Sequence, residues 1–207
     1  SGVGTGSIPI YSRDGSRVAF CVFPIDSGTY NSNDDYDHVK TDQIQYYASE
    51  TARLAQLNNG NPVPTLTFQH IPVPEIYSNL LVEVPNGTAG AVQGTGQWQN
   101  RYYVLDPNNS TITGVMQEGP CPAAINNYQY QGWRDVGNHV GAFFGHDHIN
   151  DFKMNVDGID LYQTLGAGYF TYGKEHGGRL IVLDENNPRE LYTESIEIPQ
   201  ITDLGKY

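Results

Sequence analysis

Basic residues are scarce in this chain. Eleven lysines and arginines stand against 23 aspartates and glutamates, a formal charge of −12 at pH 7. A field of that sign repels phosphate backbones and anionic lipid, so nonspecific binding to nucleic acid or to an acidic membrane surface is excluded. A small phosphate ligand is not excluded, because bound divalent cations reverse the local sign. No apolar run approaches the roughly 18 residues of a membrane span. Sulfur is sparse too. The only cysteines, Cys21 and Cys121, allow one disulfide at most, and the sequence leaves open whether they pair or remain free thiols. The opening SGVGTGSIPI has neither the basic start nor the apolar centre of a secretory leader, so export requires that this is not the original N-terminus.

What is present suggests export. Asn86-Gly87-Thr88 is a glycosylation triplet, and Asn108-Asn109-Ser110-Thr111 holds two overlapping ones, on Asn108 and Asn109. With 15 tyrosines, little lysine and an acidic balance, they predict a secreted, extracellular or vacuolar-lysosomal glycoprotein. A length of 207 residues suits one domain, or a large part of one, with a real core.

The patterning is mixed α/β. RVAFCVFPID (17–26) reads as a strand ending in a turn. TDQIQYYASETARLAQLNNG (41–60) reads as a helix, with Thr41 or Asp42 as cap and Asn58-Asn59-Gly60 as stop. PTLTFQHIP (64–72) is a second strand and HVGAFFGHDH (139–148) a third. Strand, helix, strand is the rhythm of an α/β sheet. Asp157-Gly158 marks a hairpin, and GRLIVLD and ELYTESIEI predict two further, antiparallel strands. The Gly-, Asn-, Gln- and Pro-rich stretch 86–138 reads as a surface excursion.

The histidines carry the chemistry. His70 closes one strand; His146 and His148 close another. Ligands of open α/β sheets bind at the carboxyl ends of strands, and neutral imidazole is a common ligand for zinc or iron. On a tight loop, i and i+2 imidazoles serve two ions about 3.5–4 Å apart more easily than one. Gly145 is expected to let the backbone turn sharply enough to bring both rings inward.

QHIPVPE (69–75) together with GHDHINDF (145–152) resembles the last two signature blocks of calcineurin-like metallophosphoesterases, in particular their purple-acid-phosphatase-like branch. GVGTGSIPI, FPIDSG, DHVKTDQIQYY and LGAGYFTYGKEHGGRLIVLD extend the resemblance over residues 2–185. It implies the C-terminal half of a four-layer α/β/β/α sandwich within 1–207. It also implies two divalent or mixed-valence ions (Zn, Fe or Mn), with His70 and His146 on one and His148 on the other. Asp147 would point away. Asn150 and Asp151 would hold the ligand rings by their second nitrogens. Glu75 is expected to be structural, while Tyr169, Tyr172 and Lys174 are candidates to line a cleft.

The family's DxH, GDxxD and GNH blocks, which carry the carboxylates, are missing. The letters GNHV at 137–140 fall out of order, before the last strand of the site. The resemblance therefore implies hydrolysis of a phosphate ester only when this chain is combined with the N-terminal half of the same precursor, with the chain inactive alone. No nucleic acid or membrane partner is expected, and a homo-oligomer is left open. Two other classes remain: a non-catalytic structural or binding glycoprotein derived from a phosphoesterase, and a mononuclear metal- or sugar-binding β module.

Overall fold

In a computed structural model, residues 2–198 are described. The elements are β1 (Ile8–Tyr11), β2 (Val18–Pro24), α1 (Thr41–Leu57), β3 (Thr65–Gln69), α2 (Glu75–Asn79), β4 (Leu81–Val84), β5 (Val92–Gln93), β6 (Tyr102–Leu105), β7 (Thr113–Val115), α3 (Gln129–Val136), β8 (His139–Phe144), β9 (Asp151–Val156), β10 (Ile159–Gln163), β11 (His176–Val182) and β12 (Tyr192–Ile198). The main sheet runs β1-β2-β3-β8-β10-β9-β7. Its centre, β2-β3-β8-β10, is parallel, and its edges are antiparallel. Of the parallel centre, β2 and β8 are mostly apolar because both faces are covered, whereas β3 and β10 also bury Thr65, Thr67 and Gln163.

Each face has its own reason to be buried. On one side α1 and α3 pack Tyr47, Leu54 and Trp133 against Phe23, Ala142 and Phe144. On the other, Phe20, Leu66, Val140, Phe143 and Tyr162 receive Ile181, Leu183 and Leu191 from the β11–β12 hairpin and its loop. Each such side chain, fully buried, contributes about 1.5–3 kcal/mol. The helix α1 begins after Lys40, whose backbone N–H donates to Gln43 Oε1 at 2.7 Å. It ends at Asn58, whose side chain accepts from the Val18 N–H at 2.9 Å and donates to the Val18 carbonyl at 3.1 Å, tying the helix to the start of β2. Asp157 and Gly158 both have positive φ, as a tight hairpin between β9 and β10 demands.

The segment 86–138 is only partly a surface excursion. Residues around Asn86 and Asn108 are exposed, and β4, β6 and β5 form a small separate sheet. However, β7 joins the main sheet, and Tyr103, Tyr130 and Trp133 are buried in the core. A composition rich in Gly and Asn concealed a short helix whose three aromatic or amide side chains face inward.

Candidate functional site

The site follows from strand adjacency. β3 and β8 are neighbouring parallel strands with Gln69 opposite Phe144. The next residues are His70 and Gly145, and the Gly145 N–H donates to the His70 carbonyl at 3.2 Å. One residue on, His146 Nδ1 lies 2.9 Å from His70 Nε2, one ring donating to the other, with the rings nearly perpendicular. Both imidazoles thus project from the carboxyl edge of the sheet, at the end where such sheets bind ligands. Gly145 does not have the role expected of it. Its φ is not among the positive ones, and a Cβ there would meet only His70 Nδ1 at 4.0 Å, an ordinary contact.

Aromatic rings flank the histidines. Tyr36 lies edge-on to His146 at 4.4 Å between centroids, and Tyr30 stacks on Tyr36 at 5.1 Å. His148 stacks on Tyr172 at 4.6 Å, and the Tyr172 hydroxyl donates to Glu118 Oε2 at 2.8 Å. Burial first, then the charges of His70 and His148, push the His146 pKa down to about 4. Burial and His148 lower that of His70 as well. Burial thus favours the neutral form of both rings. The hydrogen bond that the Tyr36 hydroxyl makes to Tyr30 is the largest influence raising its phenol to about 12. His148 Nδ1 is buried with no hydrogen-bond partner. Tyr169 sits instead beside His176, and Lys174 is exposed.

The acidic and amide neighbours turn elsewhere. Asp147 is 2% exposed and accepts from the Cys121 N–H at 2.9 Å and from Gln163 Nε2 at 2.8 Å. Burial raises its pKa to about 8. Asn150 and Asp151, expected to hold the imidazoles, bond to other groups. Asn150 Oδ1 accepts from the Gln117 and Glu118 N–H groups at 2.9 and 3.1 Å, and its Nδ2 donates to the Glu118 carbonyl. Asp151 pairs with Arg179. Glu118 completes the clamp by accepting from the Ile149 N–H at 3.1 Å. The cluster after β8 therefore grips the returning arm of the excursion, and no expectation from sequence foresaw Glu118 or Tyr36 here. Glu75 opens α2 and accepts from Asn126 at 2.8 Å.

No protein-family model matches the chain. Three curated proteins of Arabidopsis thaliana do. "Probable inactive purple acid phosphatase 29" is 29% identical over 91% of this chain and 46% of its own length. "Probable inactive purple acid phosphatase 14" is 28% identical over 84% of this chain and 40% of its own length. "Probable inactive purple acid phosphatase 28" is 26% identical over 86% of the chain and 40% of its own length. The chain is a relative of the purple-acid-phosphatase-like metallophosphoesterases. It spans less than half the length of the curated relatives it matches.

A purple-acid-phosphatase-like site implies a pair of metal ions, and the donor set here can be tested against that. The imidazoles suit it: two are adjacent, with burial favouring their neutral form, and the third has a buried, unpartnered nitrogen. The carboxylates adjacent to them in sequence, Asp147 and Asp151, are both engaged with other partners. Among the described residues, no group of three or more His, Cys, Asp or Glu side chains is arranged to hold an ion. Within this chain alone the residues do not fit two ions. The two thiols are free; burial drives both pKa values up, Cys21 to about 12, so neither is a ready thiolate ligand. Of the triplet asparagines, Asn86 and Asn108 are exposed, whereas Asn109 is half-buried and donates from Nδ2 to the Asn155 carbonyl at 3.1 Å.

Proposed function

We propose that this chain is the imidazole-bearing half of a phosphate-ester hydrolase whose carboxylate ligands come from the N-terminal half of the same precursor. The observation that carries this is the His70–His146 contact at the ends of adjacent parallel strands, with no group of three or more metal-ligating side chains assembled among the described residues. Hard dications need anionic oxygen donors, and neutral imidazoles alone leave their charge uncompensated. The relatives' greater length leaves room for the missing donors.

The surface beneath the histidines supports a missing layer. An open groove of about 640 Å³ is lined by Phe68, Phe143, Ile181, Asp26 and Arg179 among others, and reaches His70. The β11–β12 hairpin is a two-stranded sheet whose outer face, Leu180, Val182, Tyr192 and Ile196, is exposed. A second layer laid over both would complete a four-layer sandwich. In this reading the protein is exported, and Asn86 and Asn108 carry its glycans. The metals, Zn, Fe or Mn, would be held by His70, His146 and His148 together with the partner half.

The relatives are named "probable inactive", and in a second reading catalysis is lost and a glycoprotein scaffold remains. Metal analysis and an aryl phosphate assay separate the two. The purified chain alone is expected to show no chelator-sensitive turnover. Co-expressed with its N-terminal half, it should hold two ions, hydrolyse the ester and lose activity in His146→Ala. An assembled protein with no metal and no turnover sinks the hydrolase reading, and turnover by the chain alone sinks the divided-site reading.

A further inference from the structure

We infer a second binding site, for a neutral oligosaccharide, on the small sheet of the excursion, built from residues none of which belongs to the histidine cluster. A cleft of about 400 Å³ opens between α2 and the β4–β6 pair, lined by Tyr77, Glu83, Gln97, Trp98, Arg101 and Asn126 among others. Its aromatic wall is rigid. Trp98 stacks on Tyr77 at 4.1 Å with 9° between planes, and Tyr103 abuts Tyr77 edge-on at 4.8 Å. The Tyr77 hydroxyl is already saturated, donating to the Pro120 carbonyl at 2.7 Å and accepting from the Thr95 N–H at 3.0 Å.

The rim has a matching chemistry. Glu83 and Arg101 face each other at 3.5 Å with about half of each side chain exposed, so a carboxylate and a guanidinium present acceptors and donors with little net charge. Arg101 is further held by the Gln97 carbonyl at 3.4 Å. Paired charges do not favour an anionic or cationic ligand. A polyproline peptide would need several ring hydroxyl or indole donors for its carbonyls; the Tyr77 hydroxyl is spent, which leaves the Trp98 indole N–H alone among the rings of this cleft. What suits a flat apolar wall bordered by planar donors and acceptors is a pyranose ring, with one apolar C–H face and equatorial hydroxyls at its edge. Tyr77 and Tyr103 are buried and back the half-exposed Trp98, so one indole with a few convergent polar groups around it is the surface a ligand would meet.

Trp98 and Trp133 are the chain's two tryptophans, and Trp133 is 2% exposed in the core. Each indole N–H gives its own resonance, so Trp133 serves as an internal reference. The full chain, made without glycans so that no sugar on Asn86 can fill the cleft, is titrated with cellotriose, maltotriose and hexaproline. A trisaccharide is expected to shift the Trp98 signal and leave that of Trp133 unmoved. Trp98→Ala should weaken binding, followed by calorimetry, by about tenfold or more, and Glu83→Gln with Arg101→Met, which leaves the aromatic wall intact, by a similar factor. The inference is overturned if neither trisaccharide binds at millimolar concentration, if hexaproline alone binds, or if the folded rim variant binds sugar as the parent does.

Discussion

At the residue scale, two histidines with similar surroundings in sequence have opposite roles. His139 belongs to the letters GNHV, but it lies at the start of β8, the far end of that strand from His146. It is 2% exposed, stacked on Trp133 at 4.5 Å and within hydrogen-bond reach of Tyr47, Thr65 and Thr67. Burial pushes its pKa down to about 3. The unfolded chain therefore binds a proton that the folded chain refuses, and stability falls as pH drops from about 6.5 towards that value. His139→Phe should lose roughly 1–2 kcal/mol at pH 7 through its lost hydrogen bonds. It should also decline less steeply to pH 4.5 in urea denaturation, and parallel curves would count against the burial account. Gly145→Ala should change stability little, by roughly 0.5 kcal/mol or less, because its conformation is ordinary and its Cβ would have room. A loss of several kcal/mol on thermal melting would contradict that. In native-source protein, peptide mapping should find sugar on Asn86 and, of the adjacent pair, on Asn108 rather than Asn109, whose amide is bonded inward.

At the scale of elements, the loop between β8 and β9 does two tasks. Its histidines point to the sheet edge, while Asp147 and Asn150 fasten the arm 117–121 that returns from the excursion. Asn150 is fully buried, so Asn150→Ala leaves two backbone N–H groups and a carbonyl without their partner. At about 1–3 kcal/mol for a buried group left unpaired, the expected loss is roughly 2–3 kcal/mol. Hydrogen exchange should quicken at the amides of Gln117 and Glu118, with α1 still protected. Uniform acceleration through α1 would mean that the clamp is part of the global fold rather than a local fastening.

At the scale of the molecule, the two sheet faces are unequal. Helices α1 and α3 cover one, whereas among the described residues a hairpin and its loop cover the other, and that hairpin carries Leu180 and Ile196 outward at 45% and 49% exposure. An exposed apolar patch of this kind marks an interaction surface or an aggregation liability. The chain alone should bind a hydrophobic dye and self-associate reversibly on sedimentation. Leu180→Lys with Ile196→Lys should reduce both without altering the far-ultraviolet spectrum, and adding the N-terminal half should do the same. No helix among the described residues is long and apolar enough to cross a membrane.

The sequence by itself determined the local elements. The apolar run of β2, the helical spacing of Ile44, Tyr47 and Thr51, and Asp157-Gly158 each act within a few residues, so hydrophobic period and turn chemistry reveal them. It also pointed to His70 and His146 as strand-end residues. Only the tertiary structure decided that β3 and β8 are neighbours, and hence that these two rings touch across 76 positions. It decided as well that Tyr36 joins them, that Glu118 meets Tyr172 and the loop after β8, that one face of α3 is buried, and that Asn150 and Asp151 serve the excursion and Arg179 rather than the imidazoles. A side chain's partner is fixed by which strands are adjacent in the sheet and which arms cross over it, and no periodicity within one segment encodes that.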